Sequence, residues 1–132
     1  MRSRVILSRL LLLLYLITVG ILCFISSDSL PSVKTEFFGI PVDKLAHFLM
    51  FFPFPILFFL STSWKTDKFW QILIYTVLTF IIGAAIAAAT EWIQGFTATR
   101  SPDKADFIAD AIALGSSCLI ILVILLLSSK KK

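Results

Sequence analysis

Four apolar runs, at residues 5–25, 45–60, 69–90 and 111–127, take up more than half of this chain and are separated by three more polar connections. The hydrocarbon core of a bilayer is about 30 Å thick and takes about 20 helical residues at roughly 1.5 Å each. The first and third runs meet that length outright. The second reaches it by adding Ser61 to Trp64, and the fourth by starting near Phe107. With 58% hydrophobic content and thirteen phenylalanines in 132 residues, the chain has more apolar surface than one soluble core can hide. The expectation is an all-α integral membrane four-helix bundle. It is a single domain over residues 1–132, with spans at about 5–25, 44–63, 69–91 and 107–127 and a short extra-cytoplasmic helical segment before the last span.

Within the runs, a few residues set local expectations. Arg9 interrupts the first, where its long stem can snorkel to the interface. That run is longer than a secretory signal core and is followed by no small-x-small cleavage site, so it reads as a retained helix. Pro41 is placed to open the second helix, and Pro53 and Pro55 interrupt it, freeing carbonyls that neighbouring helices must satisfy. In the third, Gly83 and Ala87 share a stripe with Glu91, a face along which another helix can come close. Cys23 and Cys118 both lie in apolar runs, where a thiol behaves as a small hydrophobe, and no disulfide is expected.

The charges divide by side. If all four runs span, Arg2, Arg4, Arg9, Lys65, Lys68 and Lys130 to Lys132 share one face with Asp67 as its only acid. The opposite face carries Asp28, Glu36, Asp43, Glu91, Asp103, Asp106 and Asp110 beside Lys34, Lys44, His47, Arg100 and Lys104. Positive charge favours the cytoplasmic side, so both termini are expected there, and the formal net charge of +4 reflects orientation rather than a nucleic-acid surface. The acid-rich face is where ionisable groups press against helix ends, at high cost unless they have partners or a task.

Spacing on that face is orderly. Lys44 and His47 lie three apart at the start of the second helix, with Asp43 near the positive end of its dipole. Glu91 and Gln94 lie three apart at the end of the third. Asp103, Asp106 and Asp110 fall on one stripe of a helix beginning at Pro102, with Ser101 suited to cap it. Three carboxylates on a stripe repel unless cations answer them. The candidates are Arg100, Lys104, Lys44 and protonated His47, and Arg100 is best suited because its planar fork can make two bonds to one carboxylate or grip a phosphate.

The order Lys44-x-x-His47, Glu91-x-x-Gln94, Arg100, Asp106 and Asp110 before a last apolar helix resembles the VanZ-like family of membrane proteins, over Asp43 to about Gly115. The resemblance implies a four-helix topology with an outward polar constellation, and a place in the bacterial cytoplasmic membrane as a multi-pass protein of the cell envelope. It departs from the family in carrying Ala113 where a glycine is common, with Gly115 two residues later. The family takes its name from a member associated with teicoplanin resistance, a property not carried over to this chain.

Three functions compete. The first is binding of an anionic lipid or cell-wall group at a site built from Lys44, His47, Glu91, Gln94, Arg100, Asp103, Asp106 and Asp110, with membrane lipids or a lipid-linked cell-wall precursor as partner and no nucleic acid. The second is a membrane-embedded hydrolase or transferase acting on a lipid-linked envelope substrate. There His47, Glu91 and Asp106 would divide acid and base roles. The third is a structural or accessory subunit whose charges fasten the helices together. No cofactor is implied by any motif. No zinc spacing is present and no metal site is assigned, although carboxylates with His47 are the ligand types that suit Mg²⁺ or Mn²⁺.

Overall fold

The structure is a computed structural model that describes residues 2–24, 36–64, 66–96 and 103–129. Among these, four helical stretches are long and apolar enough to cross a membrane: Arg4–Phe24, Val42–Ser61, Phe69–Gln94 and Lys104–Ser129. The chain is a multi-pass membrane protein, predominantly helical. In chain order the elements are α1 (Arg2–Phe24), β1 (Glu36–Phe37), β2 (Ile40–Pro41), α2 (Val42–Phe51), α3 (Phe54–Ser61), α4 (Phe69–Gln94) and α5 (Lys104–Ser129).

α2 and α3 are two parts of one span. Pro53 and Pro55 carry no N–H, so the carbonyls of Leu49 and Phe51 lose their helical donors. Backbone angles at Phe52 (φ −57°, ψ −39°) and Pro53 (φ −71°, ψ −19°) stay right-handed, so the span is interrupted without reversing direction. The hydroxyl of Tyr15, on α1, donates to the carbonyl of Met50 beside this break. Arg9 likewise donates from Nε to the carbonyl of Ser61 at 3.1 Å, placing a cation on the negative end of α3. These two side chains tie α1 to the second span. Otherwise α1 is mostly exposed, with Ile6, Leu10, Leu13, Leu14, Ile17 and Ile21 presenting an outer stripe suited to lipid.

The core lies where α5 packs along both α4 and α2. Phe51, Phe54, Ala87, Ala113 and Leu114 are buried there with Val19 and Cys23 of α1. Gly83 is what lets α5 come close. A Cβ built on it would stand 2.6 Å from Leu114 Cδ2 and 3.1 Å from a ring carbon of Phe54. Ile72, Ile121 and Leu125 form a second buried cluster toward the other end. Cys23 and Cys118 are both buried free thiols.

The all-α expectation omits one element. β1 pairs antiparallel with β2, Phe37 opposite Ile40, around a two-residue turn at Phe38 and Gly39. Both turn residues have positive φ, 52° and 76°. That conformation matches the twist of a tight hairpin and suits glycine far better than phenylalanine. The hairpin delivers Pro41, extended at φ −56° and ψ 133°, as the residue that starts α2. The fourth span also differs from expectation. The helical segment anticipated before it is the first turns of α5 itself, continuous from Lys104.

Candidate functional site

Successive spans run in opposite directions, so the start of α2, the end of α4 and the start of α5 meet at one end of the bundle. α4 and α5 are each 26 residues, about 39 Å at the helical rise, against a core of about 30 Å. Their ends therefore reach the interface, where ionisable side chains can keep one foot in water. The cluster has two centres.

The first is Lys44. Its Nζ donates to Asp43 Oδ2 at 2.9 Å, Asp103 Oδ2 at 2.7 Å and Asp106 Oδ1 at 2.6 Å. An ammonium has three protons and here each has a carboxylate. Asp103 has a second task. Its Oδ1 accepts from the N–H of Ala105 at 2.9 Å, capping α5, and its own N–H donates to Glu91 Oε2 at 3.2 Å. The hydrogen bond from Lys44, then that from Ala105, holds the Asp103 carboxyl below the usual carboxylate range.

The second centre is His47, which is 3% exposed. Its Nδ1 lies 3.1 Å and 3.4 Å from the two oxygens of Asp110, a carboxylate with no exposed surface. The other ring nitrogen, Nε2, stands 3.5 Å from Asp106 Oδ2, so the imidazole lies between two aspartates of the α5 stripe. Glu91 closes the third side, its Oε1 3.9 Å from Nδ1. That oxygen is buried and accepts no hydrogen bond among the described residues. Asp106 belongs to both centres, one oxygen toward Lys44 and the other toward His47.

Of the residues expected at the site, Lys44, His47, Glu91, Asp103, Asp106 and Asp110 come together. The i, i+3, i+7 stripe on α5 faces the i, i+3 pair on α2, so each cation meets two of the three aspartates. Gln94 is buried at the same end but directs its amide to α1, donating to the Cys23 carbonyl at 2.7 Å. Arg100, expected to be the main cation, lies outside the described residues, as do Asp28, Lys34, Ser101 and Pro102. Lys44, one of the expected cations, answers Asp103 and Asp106 of the aspartate stripe. The expected α5 start at Pro102 moves to Lys104, with Asp103 as the cap. Asp43, read from sequence as a helix-start residue, also belongs to the Lys44 centre. Nothing in a single sequence marks that, because adjacent residues on a helix usually point apart.

Beside the cluster, α4 and α5 leave a groove of about 540 Å³ lined by Ala88, Phe107 and Ile108, with Glu91, Asp103 and Lys104 at its polar side. A second groove, of about 360 Å³, runs between α2 and α5 along Leu45, Phe48, Ala109 and Ile112 and is bordered by Lys44. Comparison with protein-family models, curated proteins and solved structures finds no match.

Proposed function

We propose that this chain is a VanZ-like integral membrane protein of the bacterial cell envelope, with cytoplasmic termini, and that its polar end binds the head group of an anionic lipid or lipid-linked cell-wall precursor. The observation that carries this reading is the apolar groove between α4 and α5 opening directly onto charged side chains. A lipid needs both: an apolar wall for its chain and fixed polar groups for its head.

The division of labour differs from the one the sequence suggests. Lys44 has spent its three protons on carboxylates, so the cations for a phosphate or carboxylate are Lys104, at the groove, and Arg100. The carboxylates accept hydrogen bonds from hydroxyl or amine groups of the same head group. In native mass spectrometry of the detergent-purified protein, phosphatidylglycerol should be retained more strongly than phosphatidylcholine. Lys104→Ala and Arg100→Ala should each erode that preference. Equal retention of both lipids, or a preference indifferent to the double variant, would count against the proposal.

The structural reading has an observation of its own. The Lys44 centre joins α2 to α5 through Asp103 and Asp106, and Asp103 is in turn joined to α4 through Glu91. A network of that kind fastens helices whatever else it does. Melting the Lys104→Ala and Lys44→Met variants separates the two: a ligand residue leaves the melt unchanged, a fastener lowers it.

A further inference from the structure

The structure assigns a divalent-cation site to His47, Glu91 and Asp106, with Asp110 as the positioning residue behind His47. It rests on reading the polar end as a ligand site and deepens it, since a bound cation gives an acid-rich cluster the positive charge with which to hold a phosphate.

Two groups of acids at this end have ligand atoms close enough to share an ion, Asp43 with Asp103 and Asp106, and His47 with Glu91 and Asp106. The first already has its cation, the ammonium of Lys44 at 2.6 to 2.9 Å from all three. The second has no lysine or arginine among the described residues, and the imidazole is the one group in it that can carry positive charge. One ligand atom each from His47, Glu91 and Asp106 lies within 4.8 Å of the other two. Ligands on one metal at bonds of about 2.1 Å stand about 3 Å apart, so binding draws these atoms inward from separations of up to 4.8 Å.

Independent of that proximity is the state of Glu91. The side chain is more than nine-tenths buried, one oxygen is held by the N–H of Asp103, and the other, Oε1, takes no hydrogen bond among the described residues. A buried carboxylate oxygen left bare is costly, and it faces the imidazole rather than lipid. The imidazole is oriented as metal-bound histidines are. Asp110 lies against Nδ1, and Nε2 stands 3.5 Å from Asp106 Oδ2, so a cation bound there takes the place of any proton on Nε2. Two carboxylates and one imidazole suit Mn²⁺ or Mg²⁺ better than the thiolate-preferring metals.

The test uses the full chain in detergent, stripped with EDTA and desalted, and titrated with Mn²⁺ while free Mn²⁺ is followed by electron paramagnetic resonance. One Mn²⁺ per chain is expected, together with a rise in melting temperature. Asp110→Asn should weaken binding by about 10- to 100-fold, as loss of an orienting partner does. Glu91→Gln should weaken it at least as much, and Glu91→Asp, which keeps the carboxylate, should recover part of the loss and guards against a folding defect in Glu91→Gln. Absence of Mn²⁺ binding to the wild-type chain overturns the assignment. So does binding that Glu91→Gln leaves intact and Asp103→Asn abolishes, which moves the ion to the other acids. Phosphatidylglycerol retention by the detergent-purified chain in native mass spectrometry, with and without EDTA, separates this from the lipid reading. Retention unaffected by EDTA in a chain that binds no Mn²⁺ keeps the lipid reading and removes the cation. Mn²⁺ binding without any lipid preference does the reverse.

Discussion

The Lys44 and His47 centres share Asp106 and sit one helical turn apart, yet they solve the problem of charge at a membrane interface in different ways. Lys44 is half-buried, with an ammonium that matches three carboxylates proton for proton, and both Asp43 and Asp103 still reach solvent. His47 is buried among Glu91, Asp106 and the fully buried Asp110, offering at most two protons to three acids. One centre is closed and wet, the other enclosed and a partner short. Closed networks fasten helices; a buried network missing a partner is where a ligand has something to gain.

Breaking each centre at its cation should expose that contrast most strongly. His47→Leu leaves Asp110 buried without its partner and should destabilise by about 3–5 kcal/mol, the range for breaking a buried pair on one side. Lys44→Met should cost only about 1 kcal/mol, since the carboxylates it leaves are partly hydrated and pairs of that kind are worth little. Unfolding titrations in mixed micelles measure both. Equal costs would mean the two centres are equally enclosed and would remove the contrast.

The next effect acts on one centre alone. Gly83→Ala puts a methyl group into the contact with Leu114 and Phe54, and overpacking of this kind costs about 1–3 kcal/mol. Because it pushes α4 from α5, it should loosen Glu91 from the His47 centre while leaving the α2–α5 bonds of Lys44 in place. Mn²⁺ affinity should fall together with stability in this variant, whereas Lys44→Met should lower stability with less effect on affinity. A Gly83→Ala chain that melts and binds as wild type would show that α5 can relax around the added carbon.

Much of this was legible from periodicity. Run lengths marked the spans, Pro53 and Pro55 marked the break between α2 and α3, and Gly83 with Ala87 marked the side on which α5 approaches. The i, i+3 and i, i+7 spacings put Lys44, His47 and the three aspartates on facing stripes. Three things were not legible. The hairpin at residues 36–41 rests on two strands of two residues each and on a phenylalanine at positive φ, where no pattern points to it. The start of α5 hinged on which of Ser101 and Asp103 caps it, and both are good caps. The threefold partnership of Lys44 depends on reach in three dimensions, since Asp43 comes from α2 while Asp103 and Asp106 come from the start of α5.

The smallest effect expected is the pH response of Asp103, and it bears on whether the Lys44 centre is as wet as it looks. Lys44 and the Ala105 N–H hold the Asp103 carboxyl below its ordinary value in the folded chain. The sign follows from linkage: the stabilisation is fully present above the unfolded value, about 3.9, and disappears as pH falls through the lower folded value. Asp103→Asn keeps a capping oxygen but removes the titrating charge, so its melting temperature should fall less than that of wild type between about pH 6 and about pH 3. Added salt should shrink that difference, because the side chain is exposed and its pairing with Lys44 is screened. A difference that salt leaves unchanged would mean that Asp103 and Lys44 meet in an enclosed pocket, and the Lys44 centre would then belong with His47 rather than opposite it.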